Sequence, residues 1–290
     1  MALTKDTVKE FEFNGKDFER VRAMIYKRAG IALADSKQEM VYSRLARRLR
    51  ATGINSFVRY LDELEGGKLG AAEWEAFTNA LTTNLTSFFR EAHHFPLLAE
   101  HLKQRRGGEA INIWCSASST GEEPYSIAMT ACEAFNTLTP PVHILATDID
   151  TNVLATAANG VYPIERIEKL SPERQRRFFL RGKGDKAGLV RVREELRKLI
   201  TYRQINLLDE QWEIRPGFDA IFCRNVMIYF DKATQRRILA RFVPLMKPDA
   251  LLFAGHSENF LYVSDSLKLR GKTVYELDER KAAGFRAAQR

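Results

Sequence analysis

INIWCSASSTGEEPY, residues Ile111–Tyr125, is the stretch from which the fold is read. Ile111, Ile113 and Trp114 are alternating apolar residues of a buried strand. Seven small residues follow, Cys115 to Gly121, and then Glu122, Glu123 and Pro124, which are first-turn helix residues. The helical pattern continues through Tyr125, Ile127, Ala128, Met129 and Ala131. A strand, a turn of small side chains and a helix N-terminus bring a nucleotide-like ligand against backbone. The glycine fingerprint of a dinucleotide site is absent, and two carboxylates occupy the place where phosphates would dock. A ligand carrying an ammonium and a sulfonium suits such an acidic rim. An ordinary strand-to-helix turn, its acids favoured by the helix dipole, accounts for the same residues.

Working outward, the 290 residues make one large or two modest domains, and 45% apolar content supports a real core. A net charge of +8 points to an acidic or polyanionic partner, or to solubility alone. Cys115, Cys132 and Cys223 form neither a disulfide framework nor a CxxC clamp, which implies a reducing compartment. The polar start MALTKDTVKE shows no signal peptide, and no apolar run approaches membrane-spanning length, so a cytoplasmic protein is expected.

Residues 1–84 read as helices. Phe18, Val21, Ile25 and Tyr26 lie on one that ends at Gly30. Ser36 with Glu39 reads as a capping box for the next, stopped by Gly53. On that helix Arg44, Arg47, Arg48 and Arg50 face away from Val41, Tyr42, Leu45 and Leu49. Nine basic and two acidic residues between Arg20 and Arg50 leave these arginines without interleaved acids, so an acidic docking surface is expected; a solvated face is the plainer account. Two more helices, Asn55–Leu64 and Ala71–Leu81, flank Gly66-Gly67.

Residues 85–102 read as a linker contributing to the ligand site, and residues 103–281 as the domain that holds it. His93 and His94 are adjacent, not spaced as zinc ligands on a helix, and no metal is expected. The second strand ends in Asp148, 27 residues past Gly121, where an acid accepts hydrogen bonds from ribose hydroxyls; Asp150 suits the N-cap of the next helix better. Residues 160–200, with Gly182, Gly184, Gly188 and the alternating LVRVRE, read as a small antiparallel insertion with an exposed edge. Strands Leu199–Ile205, Phe218–Arg224 and Leu251–Ala254, a helix Lys232–Met246 and a C-terminal hairpin turned at Gly271 complete the domain. The fold expected is α/β: a helical N-terminal domain, then a doubly wound sheet with an antiparallel edge and an inserted β-subdomain.

With these pieces placed, NLTSFFREAHHF, STGEEPYS, ATDID, FDAIFCRNVMIYFD and LLFAGHSENF, all in order, make the chain resemble the CheR family of chemotaxis receptor (protein-glutamate) O-methyltransferases over nearly its whole length. The resemblance implies a class I S-adenosylmethionine (SAM) fold and a monomer that methylates receptor glutamates in sensory adaptation. It implies that Asn84, Thr86 and Arg90 cover the cofactor, Arg90 pairing its carboxylate, and that Glu122 lies near its amino group. By the same resemblance Asp148 holds the ribose, Asn206 and Leu207 meet the adenine, Arg224 and Asn225 line the strand-four side, and Tyr229 lies near the methyl group. The partner implied is the cytoplasmic domain of transmembrane chemoreceptors, with no nucleic acid. Some members also tether a receptor C-terminal peptide, which here would use Arg181, Gly182, Gly184, Gly188 and Arg191.

An acceptor carboxylate, with a pKa of about 4.3, is already ionised at neutral pH and needs no general base. Tyr229 and Arg90 are therefore expected to orient and stabilise. A nucleic-acid methyltransferase would also be served by the basic charge, but residues 224–227, RNVM, lack an Asn-Pro-Pro-Tyr-type clamp for a flipped base. A non-catalytic SAM-sensing receptor adaptor is the other alternative, against which the intact Asn84, Arg90, Glu122, Asp148 and Tyr229 argue.

Overall fold

The computed structural model describes residues 9–105 and 109–278. The expected domain end at 281 and the first residues of the polar start lie outside these. The chain forms two compact units, 1–83 and 84–290, taken here separately.

The first unit holds α1 (Gly15–Ala29), α2 (Gln38–Thr52), α3 (Phe57–Glu65) and α4 (Gly70–Leu81). Val21 and Ile25 of α1, Val41, Leu45 and Leu49 of α2, Tyr60, Leu61 and Leu64 of α3, and Phe77 and Leu81 of α4 are buried. Each helix thus lays an apolar stripe into a shared core. The capping box stands elsewhere than the sequence suggests. Asn14 accepts from the Lys16 and Asp17 N–H groups, while Asp17 accepts from the Asn14 N–H at 2.9 Å. A single 3-10 turn, Asp35–Lys37, precedes α2, so Ser36 lies inside it and the carboxylate of Glu39 pairs with Lys9 at 2.6 Å.

In the second unit come α5 (His94–Lys103), β1 (Ile111–Cys115), α6 (Glu122–Phe135), β2 (Val142–Asp148) and α7 (Thr151–Asn159). An insertion follows: β3 (Val161–Pro163), α8 (Pro172–Phe178), β4 (Phe179–Arg181), β5 (Leu189–Val192) and α9 (Glu194–Arg197). The chain then returns through β6 (Ile200–Gln204), β7 (Phe218–Cys223), α10 (Lys232–Phe242), β8 (Met246–Ala254), β9 (Leu267–Gly271) and β10 (Val274–Leu277). The main sheet runs β6-β2-β1-β7-β8-β10-β9; its first five strands are parallel, and β10 is antiparallel to both neighbours. Strand order reverses beside β1, so the carboxyl ends of β1 and β7 flank the switch-point crevice where such sheets bind ligands.

The insertion is a separate three-stranded antiparallel sheet of order β3-β5-β4. The alternating LVRV segment is its central strand, and the exposed edges belong to β3 and β4. Two apolar clusters cover the faces of the main sheet. One joins α5, α6 and the insertion to β1, β2 and β7; the other gathers α10 and the C-terminal hairpin round Trp114. Trp114 lies edge-on to Trp212 and Phe242 at 5.2 and 5.1 Å, so the strand ending in the ligand loop is held by aromatic packing on that face.

Candidate active site at the carboxyl edge of the sheet

The loop after β1 is fixed by its neighbours on both sides. The Ser116 N–H donates to Phe222 O at 2.9 Å, and the Ser118 N–H to Thr147 O at 2.8 Å. Ser119 takes a left-handed conformation (φ 47°), and its N–H donates to Asp148 Oδ2 at 2.9 Å. Gly121 has φ 100°, and a Cβ there would stand 2.7 Å from the Tyr162 hydroxyl and 2.8 Å from Ala157 Cβ. Only glycine lets α6 begin this close to α7.

Glu122 and Glu123 do not form the bare acidic rim that their position suggests. Glu122 is fully buried, accepts from the Thr120 hydroxyl at 2.6 Å, and is paired with Arg166 of the insertion, which also donates to Thr86 O at 3.1 Å. Glu123 accepts from Arg224 at 2.6 Å and from the Cys115 thiol at 3.3 Å. Burial pushes its carboxyl up although Arg224 pulls the other way, and burial raises the Cys115 thiol well above its ordinary value. Arg224, whose side chain is 1% exposed, also pairs with Glu91 at 3.2 Å and donates to Arg90 O. Arg224, expected on the strand-four side, thus has its guanidinium engaged by Glu91 and Glu123. The guanidinium is enclosed and ties the linker segment to α6, because two buried carboxylates need a shared cation.

Asp148 ends β2 with its carboxylate nine-tenths buried, accepting from Ser119 N–H and, at 3.0 Å, from Asp150 N–H. Burial raises its carboxyl to about 6. Each oxygen keeps a lone pair for a further donor. Asp150 caps α7 and also accepts from Asn84 Nδ2 at 2.8 Å, while the Ser119 hydroxyl donates to Asn84 O at 3.1 Å. The linker therefore lies over the β1 loop. Asn206 Oδ1 accepts from Leu208 N–H at 3.0 Å, Leu207 is buried, and the Ile205 N–H donates to Asp148 O at 3.1 Å, which sets the β6 loop beside Asp148. Arg90 donates to Leu85 O at 2.8 Å and makes no ion pair among the described residues. Tyr229 ends a 3-10 turn, Met227–Tyr229, and is half-buried. Asn84, Thr86, Arg90, Asn206, Leu207 and Asn225 lie on loops, Glu122 at the start of α6, Asp148 at the end of β2 and Tyr229 on a 3-10 turn.

Glu91, Arg166 and Glu258 also hold these loops, and the sequence pattern does not mark them as functional. Only Glu258 carries a local signal, a lone carboxylate inside AGHSENF; Glu91 follows Arg90 directly, and Arg166 lies in the charged run IERIEK. Among the described residues no group of three His, Cys, Asp or Glu could hold a metal.

The arginines of α2 also look different in three dimensions. Arg44 donates to Ala80 O at 3.2 Å and to Thr82 O. Arg48 forms two bonds to Glu73, at 3.0 and 2.6 Å, and Glu73 in turn accepts from the Tyr60 hydroxyl at 2.7 Å. Arg50 pairs with Glu10. The acids missing from the helix itself come from elsewhere in the unit, which corrects the premise that these arginines lack internal partners. Arg47 is exposed and makes no ion pair among the described residues. In the insertion, Arg181, Gly182, Gly184, Gly188 and Arg191 fall in or beside the β4–β5 turn. Gly184 and Gly188 are left-handed (φ 58° and 83°), and a Cβ on Gly182 would meet Lys186 O at 2.0 Å.

The residues fit a nucleoside-bearing ligand. Asp148 offers a carboxylate at the end of the second strand, the loop carries small side chains, and the Ser118 hydroxyl is buried without a partner among the described residues.

Two family descriptions match the chain: the CheR methyltransferase all-alpha domain over residues 16–82 and the CheR methyltransferase SAM binding domain over residues 84–275. The chain is 56% identical to the chemotaxis protein methyltransferase of Salmonella typhimurium over 265 residues, 91% of each protein. It is 55% identical to that of Escherichia coli over 90% of this chain and 91% of the relative. It is 54% identical to chemotaxis protein methyltransferase 2 of Pseudomonas aeruginosa over 92% and 94%.

Proposed function

The chain belongs to the CheR methyltransferase family, and from that premise we propose that it transfers the methyl group of SAM to glutamate side-chain carboxylates of chemotaxis receptors. SAM is its cofactor. When bound, SAM supplies an electrophilic methyl on a sulfonium, with a neutral thioether as leaving group.

What this chain's residues do follows from their chemistry. Asp148 accepts ribose hydroxyls while ionised. Glu122 accepts the amino group beside Arg166, its carboxylate already shared with Thr120. Asn206 and Leu207 border the base, Asn84 and Thr86 close over the loop, and Asn225 borders the strand-four side. Arg90 and Tyr229 orient carboxylates, the first by charge and the second by its hydroxyl. The incoming glutamate is ionised, so no side chain has to remove a proton. Alignment and exclusion of water carry the rate, and holding two reactants in line is worth about 7–11 kcal/mol.

One observation carries this reading. Glu91, Glu122 and Glu123 are matched with arginines, whereas Arg90 keeps only a carbonyl partner among the described residues and is available to a carboxylate. Arg47 on α2 is proposed as the exposed cation that meets the acidic receptor surface, with Arg44, Arg48 and Arg50 holding its helix. The β4–β5 turn, with Arg181, Gly182, Gly184, Gly188 and Arg191, is proposed to tether a receptor C-terminal peptide by strand addition, which raises local concentration without any catalytic contact.

The test is incubation with methyl-labelled SAM and either receptor-containing membranes or nucleic acid. Label on receptor that mild base releases as methanol supports a carboxyl ester. Label on nucleic acid, or base-stable label, refutes it.

A further inference from the structure

We propose that Glu258 is a positioning residue for methyl transfer. It holds the turn that carries Tyr229 by binding backbone N–H groups, without touching the reacting atoms. The kinetic part of this proposal rests on the function proposed above; the structural part does not.

The chain leaves β7 at Cys223 and bends at Asn225, a non-glycine residue with φ 57°. The bend turns three successive N–H groups to one side, which makes an anion-binding nest. The anion is the chain's own. Glu258 Oε1 accepts from Val226 N–H at 3.0 Å and Met227 N–H at 2.7 Å. Its Oε2 accepts from Asn225 N–H at 2.9 Å and Gly255 N–H at 2.5 Å. One carboxylate thus fastens the loop after β7 to the loop after β8 with four charge-assisted bonds.

Two further observations place the same demand on this point. A Cβ at Gly255 would stand 2.5 Å from Asn225 Nδ2 and 2.7 Å from Glu258 Oε2, so the loops close only over glycine. From the other side, Glu91 Oε1 accepts from His256 N–H at 3.0 Å and Asn225 Nδ2 at 3.2 Å. Beyond the bend, Gln235 Nε2 donates to Met227 O at 2.8 Å and Phe230 O at 3.0 Å. Tyr229 is therefore carried on a turn fixed at both ends.

Stability alone does not account for the arrangement. Glu258 is 4% exposed and makes no ion pair among the described residues, and a buried charge balanced only by N–H groups costs more than an apolar side chain would. Burial raises its carboxyl against the pull of its four donors. What the carboxylate supplies is direction. Its two oxygens accept along fixed lines, which sets the backbone on which the tyrosine stands.

The test compares wild type, Glu258→Gln and Glu258→Asp in the full chain. Calorimetric SAM titration counts binding-competent sites, and kcat and receptor KM are then expressed per site. Hydrogen exchange of the 225–230 amides reads the turn directly. Glu258→Gln keeps the shape but replaces one accepting oxygen by a donor. Its amides should exchange about tenfold faster. Its kcat per site should fall by up to about a hundredfold, with receptor KM nearly unchanged. Glu258→Asp, which keeps the charge on a shorter stem, should fall between, and it carries the test if the glutamine variant does not fold. A fall in kcat per site of less than threefold, or unchanged amide exchange, overturns the proposal. Wild type that binds SAM but labels no receptor instead refutes the transferase reading, and the amide exchange then decides whether Glu258 holds the turn.

Discussion

Replacing Asp148 by asparagine separates binding from stability. The carboxyl stands at about 6 in the folded protein against an ordinary 3.8, because burial outweighs the backbone N–H groups that donate to it. At pH 8 the charged form therefore carries a penalty of about 3 kcal/mol in the folded state. Asparagine removes that penalty, but its NH2 group faces the N–H of Ser119 or of Asp150 and leaves one donor unmatched, which costs about 1–3 kcal/mol. The two effects offset, so thermal stability at pH 8 should stay level or rise by up to about 2 kcal/mol. SAM affinity should nonetheless fall by about 1.5–3 kcal/mol, the worth of a hydrogen bond to a charged acceptor. The sign of the pH dependence follows from a folded value raised above the unfolded one. The Asp148 contribution is intact below pH 3.8, is lost as pH rises towards 6, and is flat beyond, so wild type should lose stability relative to the asparagine variant across that window. SAM binding runs the other way, weakening as pH falls through about 6 and Asp148 takes up its proton. Calorimetry at pH 5 and 8 with parallel thermal melts measures both. A folded asparagine variant with wild-type affinity would remove Asp148 from the cofactor site, and a loss of stability far beyond 1 kcal/mol would refute the account of burial.

Arg48→Ala should destabilise the helical unit by about 3 kcal/mol in denaturant titration, since it strands the buried Glu73. Arg47→Glu should leave stability alone and raise the receptor KM in a salt-dependent way; salt-insensitive methylation by both proteins would return α2 to a solvated face. Gly121→Ala should cost about 2 kcal/mol or more and weaken SAM binding, because its Cβ would lie 2.7–2.9 Å from Tyr162 and Ala157 at φ 100°. Titration with a peptide copying the receptor C-terminus should show binding by wild type and weaker binding by Arg191→Glu. No binding by wild type would remove the tether, and equal binding would place the peptide elsewhere.

The strand, small-residue loop and helix at Ile111–Tyr125 were legible because period, side-chain size and first-turn acids are local properties. Asp148 and Asp150 were separable for the same reason: one ends a strand and the other caps a helix. Pairing of charges was not legible. Arg48 with Glu73 and Arg224 with Glu123 join residues 25 and 101 positions apart, and nothing in a helix's own sequence shows which distant acid will meet it. The same limit applied to the cap of α2. Ser36 and Glu39 have the spacing of a box, but a 3-10 turn already occupies Asp35–Lys37 and Glu39 is drawn to Lys9. The role of Glu258 is not legible in its motif, because its partners are backbone N–H groups that carry no residue identity.

The strand order has a consequence for how the protein is made. Strand β1 finds β2 nearby, Ile113 against Ile144, but its other neighbour is distant, with Ile113 opposite Ala220. Closing a loop of that length delays the pairing, and a chain emerging from the ribosome cannot make it until β7 has been synthesised. Half of the crevice therefore waits, with one side of β1 uncovered, while the insertion between α7 and β6 has all three of its strands in hand. The crevice between β1 and β7 closes only after β7 is made, and until then β1 offers an unpaired edge to which another chain can add.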